Sequence, residues 1–587
     1  LLYNCSNSLL NKGEKKMKLK DKKEVAIIIA IVVIQTIVFI IAGANKSYIH
    51  MDEAYSLGLA NYNKVEIQAN NDFYNQWHSK EYYEDYLAVQ NKDIGEYSQV
   101  YENQKNDVHP PLYYLLLRFA MGFHIGSYSK WAGITLNIII YAFVTIFVYL
   151  IIKKLLEGEE KYKEKSAILA LVSSLTLASI NNVIYIRMYA LATLNIVITT
   201  YLHLKLLDTK GNNYKLLTAI GILALVGSLT HYYYLFYLAI LFIMFVIKYI
   251  KEKDYKSLIE YIVTVLLAGA ISLIIFPYSI QHMFLGYRGQ GAISNLTNIS
   301  KFLSNICLYL LKINVYAFNN VLIIILGIII YTKLKKVKIE KNKYVKYIAV
   351  PTIIYTILVA ISSPWIELRY IIPVCSLIFI LVLYLTYMLL KGRNKIIIGI
   401  FLLMIIMPII TNNVIDLVVG QDFKREKETS YSSKTEMAEK LKSEFNLPID
   451  MVQKFSNASI EDILLFIKNF KVEPEVLYSD KRDIVEFISN NNNLPTLYLF
   501  NSNNNRFLDD ILLLANINES YIAKDIECNE ENIKEIMQNK DISNGMLIFI
   551  NDGQNNDELL EKIKNTLQLK NTTYLKRLNA CDVYLIK

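Results

Sequence analysis

The chain has 587 residues, of which 53% are hydrophobic, and a formal net charge of +9. Its mean hydropathy of +0.28 is too high for an ordinary soluble enzyme of this length. The lysines fall in short blocks between apolar runs, a pattern typical of membrane topology, so we predict no nucleic-acid partner. The five cysteines show neither a CxxC pair nor metal-ligand spacing, and no cysteine metal site is predicted.

The first apolar run, residues 25–44, has the length of a helix that crosses a bilayer. Met17 is followed by KLKDKKE, so we expect translation to begin there and residues 1–24 to form a cytoplasmic N-terminus. No small-residue cleavage site follows the run, which favours a stable helix over a signal peptide. Further spans are predicted at 132–152, 166–184, 188–206, 216–230, 233–250, 257–277, 315–332, 345–362, 370–390 and 395–415, about eleven in all.

The charges in the connecting loops predict the orientation of these spans. Alternate loops, at 153–165, 205–215, 248–256, 333–346 and 391–395, are rich in lysine. The short loops between them contain only Arg187, Arg288, Lys301, Lys312 and Arg369 as basic residues. Because positive loops stay on the cytoplasmic side, we predict a multi-pass plasma-membrane protein with an inside N-terminus and an outside C-terminus.

Two large segments are predicted to lie outside the membrane. The outer loop at 45–131 contains SKEYYEDYLAV and PPLYYLLLRFAMGF, which are typical of amphipathic helices at a membrane surface. Apolar runs such as LPTLYLF, GMLIFIND and CDVYLIK alternate with charged stretches in residues 419–587, which indicates an extracytoplasmic α/β domain. The predicted fold is therefore an all-α polytopic membrane domain over 25–418, followed by this α/β domain.

The unusual polar residues collect on the predicted outer side. They lie in six stretches: the Asp52–Glu53 pair after the first span, NDVHPPLYY at 106–114, IRMYAL at 186–191, THYYYLF at 230–236, YRGQG at 287–291 and WIELRY at 365–370. Ionisable groups beside a membrane are costly unless they are paired or used. One outward-facing site is the most economical explanation.

Each stretch also has a purely structural alternative. The two acids after the first span would then be solvated loop residues, and the prolines of HPP would simply begin a helix. Arg187 and Arg369 would extend toward the interface, where His231 would be an ordinary interfacial histidine. His78, His124 and His282 show no pattern and are interpreted as surface residues.

Acids, arginines and a histidine at an outer membrane face fit a group transfer that uses a lipid-borne donor. No nucleotide-sugar pool is expected outside the cytoplasm, so an activated sugar must come from the bilayer, for example as a polyprenyl-phosphate sugar. A carboxylate would act as general base on the acceptor hydroxyl, and arginines would hold the lipid phosphate as its charge grows. A divalent cation is optional in this chemistry, and its candidate ligands are Asp52, Asp107, His109 and His231.

Four motifs taken in order resemble a known family. DEAYS, DVHPPLYYLLL, RMYAL and THYYYLF are similar to motifs of multi-spanning glycosyltransferases with the GT-C fold. The resemblance is to the bacterial branch related to protein mannosyltransferases and lipid A aminoarabinose transferases (glycosyltransferase families 39 and 83), over residues 25–415. It implies a polyprenyl-phosphate-linked sugar donor, an extracytoplasmic acceptor and an inverting transfer.

The resemblance also implies roles for single residues. Asp52 matches the catalytic base and Glu53 its neighbour in the catalytic pair. The substrate-binding candidates are Asp107 and His109 near the acceptor or ion, Arg187 and Tyr189, His231, and Arg369 at the donor phosphate, with Arg288 added from the YRGQG loop. The chain departs from the pattern at Tyr185, where the family often has Glu, and at SKWAGITLN, which leaves the role of Lys130 open.

Other classes of protein remain as alternatives. A lipid-linked oligosaccharide polymerase or ligase also places arginines in outer loops, although it would usually lack the early acid pair and HPP. A transporter would have polar residues in mid-span and Gly or Pro breaks in paired helices. An inactive relative would serve as a receptor or assembly protein.

Overall fold

The computed structural model describes residues 19–61, 73–209, 213–295, 299–337, 341–363, 366–419, 470–472, 482–500, 506–524, 529–551, 556–578 and 581–587. The predicted start at Met17 lies outside these residues. Among these residues, those up to 419 form helices with their connections and one short strand, and the other five strands lie after residue 495. The predicted fold class, an all-α membrane domain with a C-terminal α/β part, is confirmed.

The predicted apolar runs up to residue 419 correspond to helices, and further helices lie between these runs. The first nine are α1 (Leu19–Asn45), α2 (Met51–Asn61), α3 (Lys80–Leu87), α4 (Ser98–Asn106), α5 (Leu112–Met121), α6 (Lys130–Leu155), α7 (Tyr162–Ser174), α8 (Leu177–Ile184) and α9 (Tyr189–Leu206). The next nine are α10 (Tyr214–Ser228), α11 (Tyr233–Glu252), α12 (Tyr255–Ile275), α13 (Tyr287–Asn295), α14 (Ile299–Phe318), α15 (Leu322–Leu334), α16 (Lys343–Ser362), α17 (Ile372–Leu389) and α18 (Asn394–Val419).

Among the described residues, fewer helices than the predicted spans are both long and apolar enough to cross a membrane. Seven of the described helices are long and apolar enough to cross a membrane, namely α1, α6, α11, α12, α16, α17 and α18. The pairs α7–α8 and α14–α15 raise this to nine if each bent pair is one span, so the count of about eleven is not confirmed. Helix α10 has 15 residues. Helix α9 buries Asn195, Thr199 and His203 against hydroxyl groups of neighbouring segments, so it needs a less apolar surface than a lipid-facing helix.

The predicted span at 315–332 runs across a break between two helices, α14 and α15. Helices α14 and α15 meet at an angle of 98°. Asn319 and Asn320, between them, have φ of 50° and 67°, a left-handed conformation that Asn tolerates better than most residues. The Asn319 amide donates to the Met404 carbonyl (2.9 Å) and the Asn320 amide to the Phe470 carbonyl (2.7 Å). These side-chain bonds fix the break, which an apolarity pattern does not detect.

The lysine-rich turns gather at one end of the helix bundle. Glu24 on α1 pairs with Lys153 at the end of α6, and Asp208 after α9 pairs with Lys343 at the start of α16 (2.6 Å). We call this the Lys153 end, and the opposite end, where α1 ends and α2 begins, the Asp52 end. The loops predicted to be cytoplasmic share the Lys153 end, whereas the orientation in a membrane stays a prediction.

The C-terminal part contains a mixed sheet with short helices. Its elements are α19 (Arg482–Asn490), β2 (Thr496–Phe500), α20 (Ile511–Leu514), β3 (Glu519–Lys524), α21 (Glu530–Ile536), β4 (Met546–Asn551), α22 (Asn556–Thr566), β5 (Thr572–Arg577) and β6 (Cys581–Ile586). The sheet order is β1-β3-β2-β4-β6-β5, with β1 (Trp77–Ser79) supplied by the first outer segment. Strand β2 pairs in parallel with β3 and β4, and the other pairs are antiparallel.

The first outer segment and the C-terminal sheet pack as one unit. Besides the β1–β3 pairing, Tyr83 and Ser520 share a hydroxyl hydrogen bond of 2.7 Å, and the Phe73 and Phe507 rings lie 4.7 Å apart. One apolar core runs from the helix bundle into this unit. We call the described parts of 73–106 and 482–587 the cap. The predicted domain boundary near residue 418 stays a prediction, although the sheet takes one strand from before it.

Candidate active site

Helix α2 carries both acids of the DE motif in its first turn. A five-residue connection, 46–50, joins the end of α1 to Met51. Acidic side chains are favoured at a helix N-terminus, because the free backbone N–H groups there carry partial positive charge. The two carboxylates nevertheless have different surroundings, since successive side chains of a helix point about 100° apart.

Glu53 is turned into the protein. Its side chain is completely buried, and Oε1 accepts hydrogen bonds from Lys46 Nζ (2.5 Å) and the Ile186 amide (2.8 Å). Its Oε2 accepts from the His50 amide (2.8 Å), while Lys46 Nζ also donates to the Ile184 carbonyl (2.8 Å). These bonds tie the start of α2 to the segment that follows α8. The contacts favour a positioning role for Glu53 over direct work on a substrate.

Asp52 meets the basic and phenolic groups of distant segments. Its Oδ2 accepts a hydrogen bond from the Tyr185 hydroxyl (2.9 Å) and is ion-paired with Arg369 Nη1. Arg369 Nη1 also donates to the Tyr185 oxygen (2.9 Å), so the three groups form a closed triangle. The Asp52 side chain is 20% exposed, which leaves part of the carboxylate accessible.

The close approach of the 183–187 segment to α6 places Tyr185 beside Asp52. Asn137 on α6 donates to the backbone carbonyls of Val183 (3.1 Å) and Tyr185 (2.9 Å). Gly133, one turn earlier, faces Ile186, and a Cβ at this glycine would lie 2.3 Å from the Ile186 side chain. A glycine is therefore required at 133 for this packing.

Opposing effects set the ionisation of Asp52. Burial would raise the pKa of Asp52, but the charges of Arg187 and Arg369 and the Tyr185 hydrogen bond outweigh it and hold the pKa well below its usual value. The carboxylate is therefore ionised at neutral pH. A low pKa also makes it a weak base as long as both arginines face it.

Arg187 contacts the backbone of Asp52 rather than its carboxylate. Its Nη1 donates to the Asp52 carbonyl (3.1 Å), the Ser56 hydroxyl (3.0 Å) and, more weakly, the Tyr114 hydroxyl (3.5 Å). The residue is 5% exposed, and no residue in the described part of the chain accepts a hydrogen bond from its buried Nε. A buried cationic N–H without a protein acceptor is uncommon in proteins, and such a donor is suited to bind an anion.

Asp107 and His109 form a second polar pair next to this cluster. His109 Nδ1 and Asp107 Oδ2 are 2.8 Å apart, and both side chains are about one-fifth exposed. Burial would raise the pKa of Asp107, but the charges and hydrogen bond of His109, with Arg187, lower it overall. The Leu112 amide donates to the Leu229 carbonyl (3.0 Å), which brings the start of α5 against the end of α10.

Aromatic rings connect the two polar groups. The His231 ring lies 6.2 Å from His109 and 5.4 Å from Tyr189, and Tyr189 lies 6.3 Å from Tyr370, the neighbour of Arg369. Tyr185 and Tyr189 are parallel at 6.3 Å. Burial and the nearby charges of His109 and Arg187 lower the pKa of His231, so it is neutral at pH 7. Its Nδ1 accepts from the Tyr233 amide (3.1 Å), which leaves the proton on Nε2.

The structure brings most of the predicted site residues to the Asp52 end. Asp52, Arg187 and Arg369 form the first group, Asp107, His109 and His231 lie beside it, and Tyr189 lies between. Arg288 belongs to α13, but its side chain lies outside the described residues. Within the described ranges, no three His, Cys, Asp or Glu side chains cluster as a metal site, and the optional cation remains a prediction. The roles of all these residues stay predictions.

Several residues of this region were not singled out by their sequence pattern. Tyr185 is a direct partner of Asp52 and was noted only as a departure from the family pattern. His282, expected at the surface, is buried, with Nδ1 bonded to the Tyr232 hydroxyl (2.9 Å) and Nε2 3.2 Å from the Lys105 carbonyl. His78 is also buried, in the cap. Lys130, whose role was open, donates to the Ala44 carbonyl (3.1 Å) at the end of α1.

Comparisons with known proteins find similar structures but no family. No protein-family model matches the chain, and no curated protein matches it in sequence. Two solved structures of ArnT from Cupriavidus metallidurans, one bound to undecaprenyl phosphate and one in the apo state, align with it at a TM-score of 0.48. The identities are 10% and 9%, and each alignment covers 95% of this chain and 97% of the other. Similarity of this extent assigns neither a family nor an activity, so the GT-C resemblance continues to rest on the motifs.

Proposed function

We propose that this protein is an integral membrane glycosyltransferase that moves a sugar from a polyprenyl-phosphate donor to an acceptor outside the cytoplasm. The acceptor class would be a cell-envelope polymer, a glycolipid or a protein. The observation that carries the proposal is the partly exposed Asp52 carboxylate between Arg369, Arg187 and Tyr185, at the end of the bundle away from the lysine-rich turns.

The transfer needs one proton acceptor and one anion-stabilising group. The acceptor hydroxyl attacks the anomeric carbon of the sugar and loses its proton to the Asp52 carboxylate. The bond between that carbon and the phosphate oxygen breaks, and the electron pair leaves with the polyprenyl phosphate. Attack opposite the leaving group inverts the configuration at the anomeric carbon. No oxidant, reductant or nucleotide is consumed.

The arginines are suited to the leaving group. A guanidinium presents several N–H donors in a plane and binds phosphate oxygens strongly where water is restricted. Arg369 is 15% exposed at the site, and Arg187 Nε is a buried donor to which no described residue offers an acceptor. Both groups would stabilise the negative charge that develops on the phosphate as the sugar departs.

Donor binding and activation of the base are linked through Arg369. The same Nη1 atom contacts Asp52 Oδ2 and the Tyr185 oxygen. A donor phosphate that bound Arg369 would compete with Asp52 for this guanidinium. Exchange of one anion for the other would free the carboxylate and raise its proton affinity when the donor is in place.

The Asp107–His109 pair and the adjoining rings are assigned to the acceptor and the sugar. Asp107 orients the His109 ring through its bond to Nδ1, and an imidazole held in this way is suited to contact a sugar or acceptor hydroxyl group. Tyr189 and His231 supply apolar ring surface between the two polar groups. An aromatic wall beside polar hydrogen-bonding groups suits a sugar ring, which has both apolar faces and hydroxyl edges.

The proposal is tested by replacing the base in the purified protein. The donor is first identified by mass spectrometry of the polyprenyl-linked sugars that co-purify, and transfer of that labelled sugar is then measured. Asp52→Asn should reduce the turnover by about 10²- to 10⁴-fold, the usual contribution of a general base. The matched control is Asp85→Asn in the cap, whose carboxylate is 40% exposed and only loosely paired with Lys92 (3.9 Å). Unchanged turnover in Asp52→Asn, with normal membrane insertion, would contradict the assignment.

One observation favours a transporter as second candidate. Broken helices are typical of secondary transporters, and α7–α8 and α14–α15 are bent by 58° and 98°. In a transporter, however, the ionisable residues lie at the breaks near mid-membrane. Asp52, Asp107 and Arg369 lie in connections and short helices between the spanning helices. Sugar uptake by proteoliposomes without transfer to an acceptor would support the transporter.

A further inference from the structure

We propose that Asp509, in the cap, is a positioning residue that holds the helix carrying Asp52. The effect on catalysis rests on the proposed function, whereas the effect on helix α2 does not. The C-terminal part of the chain thereby has a task in the reaction, although it contributes no described side chain to the Asp52–Arg369 group.

The central contact is an N-terminal capping hydrogen bond on α2, and its acceptor, Asp509, lies 458 positions from Met51 in the chain. Asp509 Oδ1 accepts a hydrogen bond of 2.9 Å from the backbone amide of Met51, the first residue of the helix. The first N–H groups of any helix lack acceptors within it. The amides of Asp52 and Glu53 are satisfied locally by His50, through Nδ1 (3.1 Å) and the carbonyl (2.8 Å). The Met51 amide is instead satisfied by Asp509.

The neighbouring Asp510 attaches the same corner to the connection that precedes α2. Its Oδ1 accepts from the Tyr48 hydroxyl (2.9 Å), and its Oδ2 accepts from the Tyr498 hydroxyl (3.1 Å) and the Cys581 thiol (3.1 Å). Tyr498 lies on β2 and Cys581 on β6. The sheet is thereby joined through the two aspartates to both sides of the turn that begins α2.

Burial makes this connection rigid. Asp509 and Tyr48 are each 1% exposed, and Asp510 is completely buried. Buried hydrogen bonds are shielded from competition by water, and removing one partner leaves the other unsatisfied. A negative side chain at the N-terminus of α2 is also favoured by the helix dipole.

The hydrogen bond from Met51 to Asp509 also affects the position of Asp52. Asp52 follows Met51 directly and must reach Tyr185 and Arg369 from α2. Misplacement of a reacting group by about 1 Å can cost about a hundredfold in rate. Release of the first turn would therefore slow the proton transfer more than it would weaken binding of the donor.

A purely structural role for Asp509 predicts a different outcome. In that case loss of the Asp509 side chain would lower the stability of the cap, as loss of any N-terminal helix-capping residue lowers stability, without a specific effect on α2. A matched variant exists in the same unit, because the Asn529 side chain caps α21 by accepting from the Asn532 amide (2.8 Å). Asn529→Ala removes a side-chain capping hydrogen bond of the same kind, but at the start of α21 and not of α2.

The experiment compares Asp509→Ala, Asp509→Asn and Asn529→Ala in the full-length protein. Hydrogen exchange of the peptide at 46–61 and steady-state transfer are both measured. Asp509→Ala should speed exchange at the start of α2 about fivefold and lower kcat about tenfold or more, with the KM for the donor within about twofold. Asp509→Asn retains an acceptor oxygen and should rescue both values, and Asn529→Ala should change neither.

The two readouts separate the inference from the proposed function. If the wild-type protein transfers no sugar, the proposed function fails, while the exchange data still decide whether Asp509 holds α2. If Asp509→Ala changes exchange and kcat no more than Asn529→Ala, the inference is overturned. Asp509→Ser, which keeps a polar group but is too short to reach Met51, provides the same comparison if the alanine variant does not fold.

Discussion

The Asp52 carboxylate is bound by Tyr185 and by Arg369, the group that the donor phosphate would draw away from it. Arg369 and Tyr185 hold it in the ionised form, so its pKa lies below the ordinary value of 3.8. A lowered carboxyl pKa stabilises the folded protein at neutral pH, and this contribution is lost as the pH falls below 3.8 toward the folded-state pKa. The carboxylate becomes an effective base only when part of this binding is removed.

The Tyr185 hydroxyl provides a test of this balance. Tyr185→Phe removes the 2.9 Å hydrogen bond to Asp52, so the pKa of Asp52 should rise. A hydrogen bond to a charged group is worth about 1.5–3 kcal/mol, which corresponds to a shift of about one pKa unit or more. The acid limb of kcat against pH, which reports the donor-bound enzyme, should therefore move to higher pH by about one unit.

The control for this shift is Tyr101→Phe. Tyr101 also donates a hydroxyl hydrogen bond, but its acceptor is the Ile275 carbonyl (3.1 Å) and not Asp52. Its profile should match that of the wild type. An unmoved acid limb in Tyr185→Phe would show that the hydroxyl does not act on the titrating group.

At the level of elements, the start of α2 is fixed from two directions. Asp509 and Asp510 hold it from the cap, and the buried Lys46–Glu53 pair holds it from the helix bundle. Both attachments act on a connection of five residues, so the spanning helix α1 and the cap jointly determine where Asp52 points. The broken pairs α7–α8 and α14–α15 show the same principle, because polar side chains at each break bind the backbone of other segments or of the break itself.

Loss of the Lys46 cation should strongly destabilise the protein. Lys46→Met leaves the fully buried Glu53 without its cation, and breaking a buried pair costs about 3–5 kcal/mol. The double variant Lys46→Met/Glu53→Gln should recover part of the loss, since Gln removes the unpaired charge and keeps an oxygen for the Ile186 amide but has no second acceptor for the His50 amide. The midpoint of thermal unfolding in detergent measures both effects.

An exposed ion pair supplies the comparison for Lys46. Lys92 and Asp85 are 69% and 40% exposed and 3.9 Å apart, so Lys92→Met should change stability by less than about 1 kcal/mol. Equal shifts for Lys46→Met and Lys92→Met would mean that the Lys46–Glu53 pair does not hold α2.

In the whole molecule, different charged residues gather at the two ends of the helix bundle. Carboxylates such as Glu24, Asp208 and Glu159 neutralise lysines at the Lys153 end, whereas the arginines of the candidate site lie at the Asp52 end. The cap covers the Asp52 end and shares an apolar core with the helices. If the Lys153 end is cytoplasmic, the candidate site and the cap both lie outside.

Cysteine labelling in intact cells tests this orientation. In a variant whose five cysteines are replaced, a cysteine at the exposed Glu96 should react with a membrane-impermeant maleimide, and one at the exposed Glu157 should react only after permeabilisation. The reverse labelling would invert the topology and exclude a lipid-linked donor used outside the cytoplasm.

The helices and strands could be predicted from the sequence only where local apolar patterns determine them. Apolar runs predicted the positions of the spanning helices, because length and hydropathy are local properties that a bilayer requires. They did not predict the 98° break at Asn319–Asn320 or the internal position of α9, since both depend on polar contacts with other segments. The strands of the cap were recognised near 496–500, 546–551 and 581–586, but not β1, which has three residues.

The sequence by itself determined the membrane character of the chain, the C-terminal α/β part and the set of polar motifs, of which Asp52, Arg187 and Arg369 meet directly. Only the tertiary structure decided that Glu53 is buried against Lys46, that Tyr185 bonds Asp52 and that Asp509 caps Met51. The physical reason is distance along the chain. Asp52 is separated from Arg369 by 317 residues, and Met51 from Asp509 by 458. No local pattern encodes such contacts, because they arise when helices and sheet pack into one core.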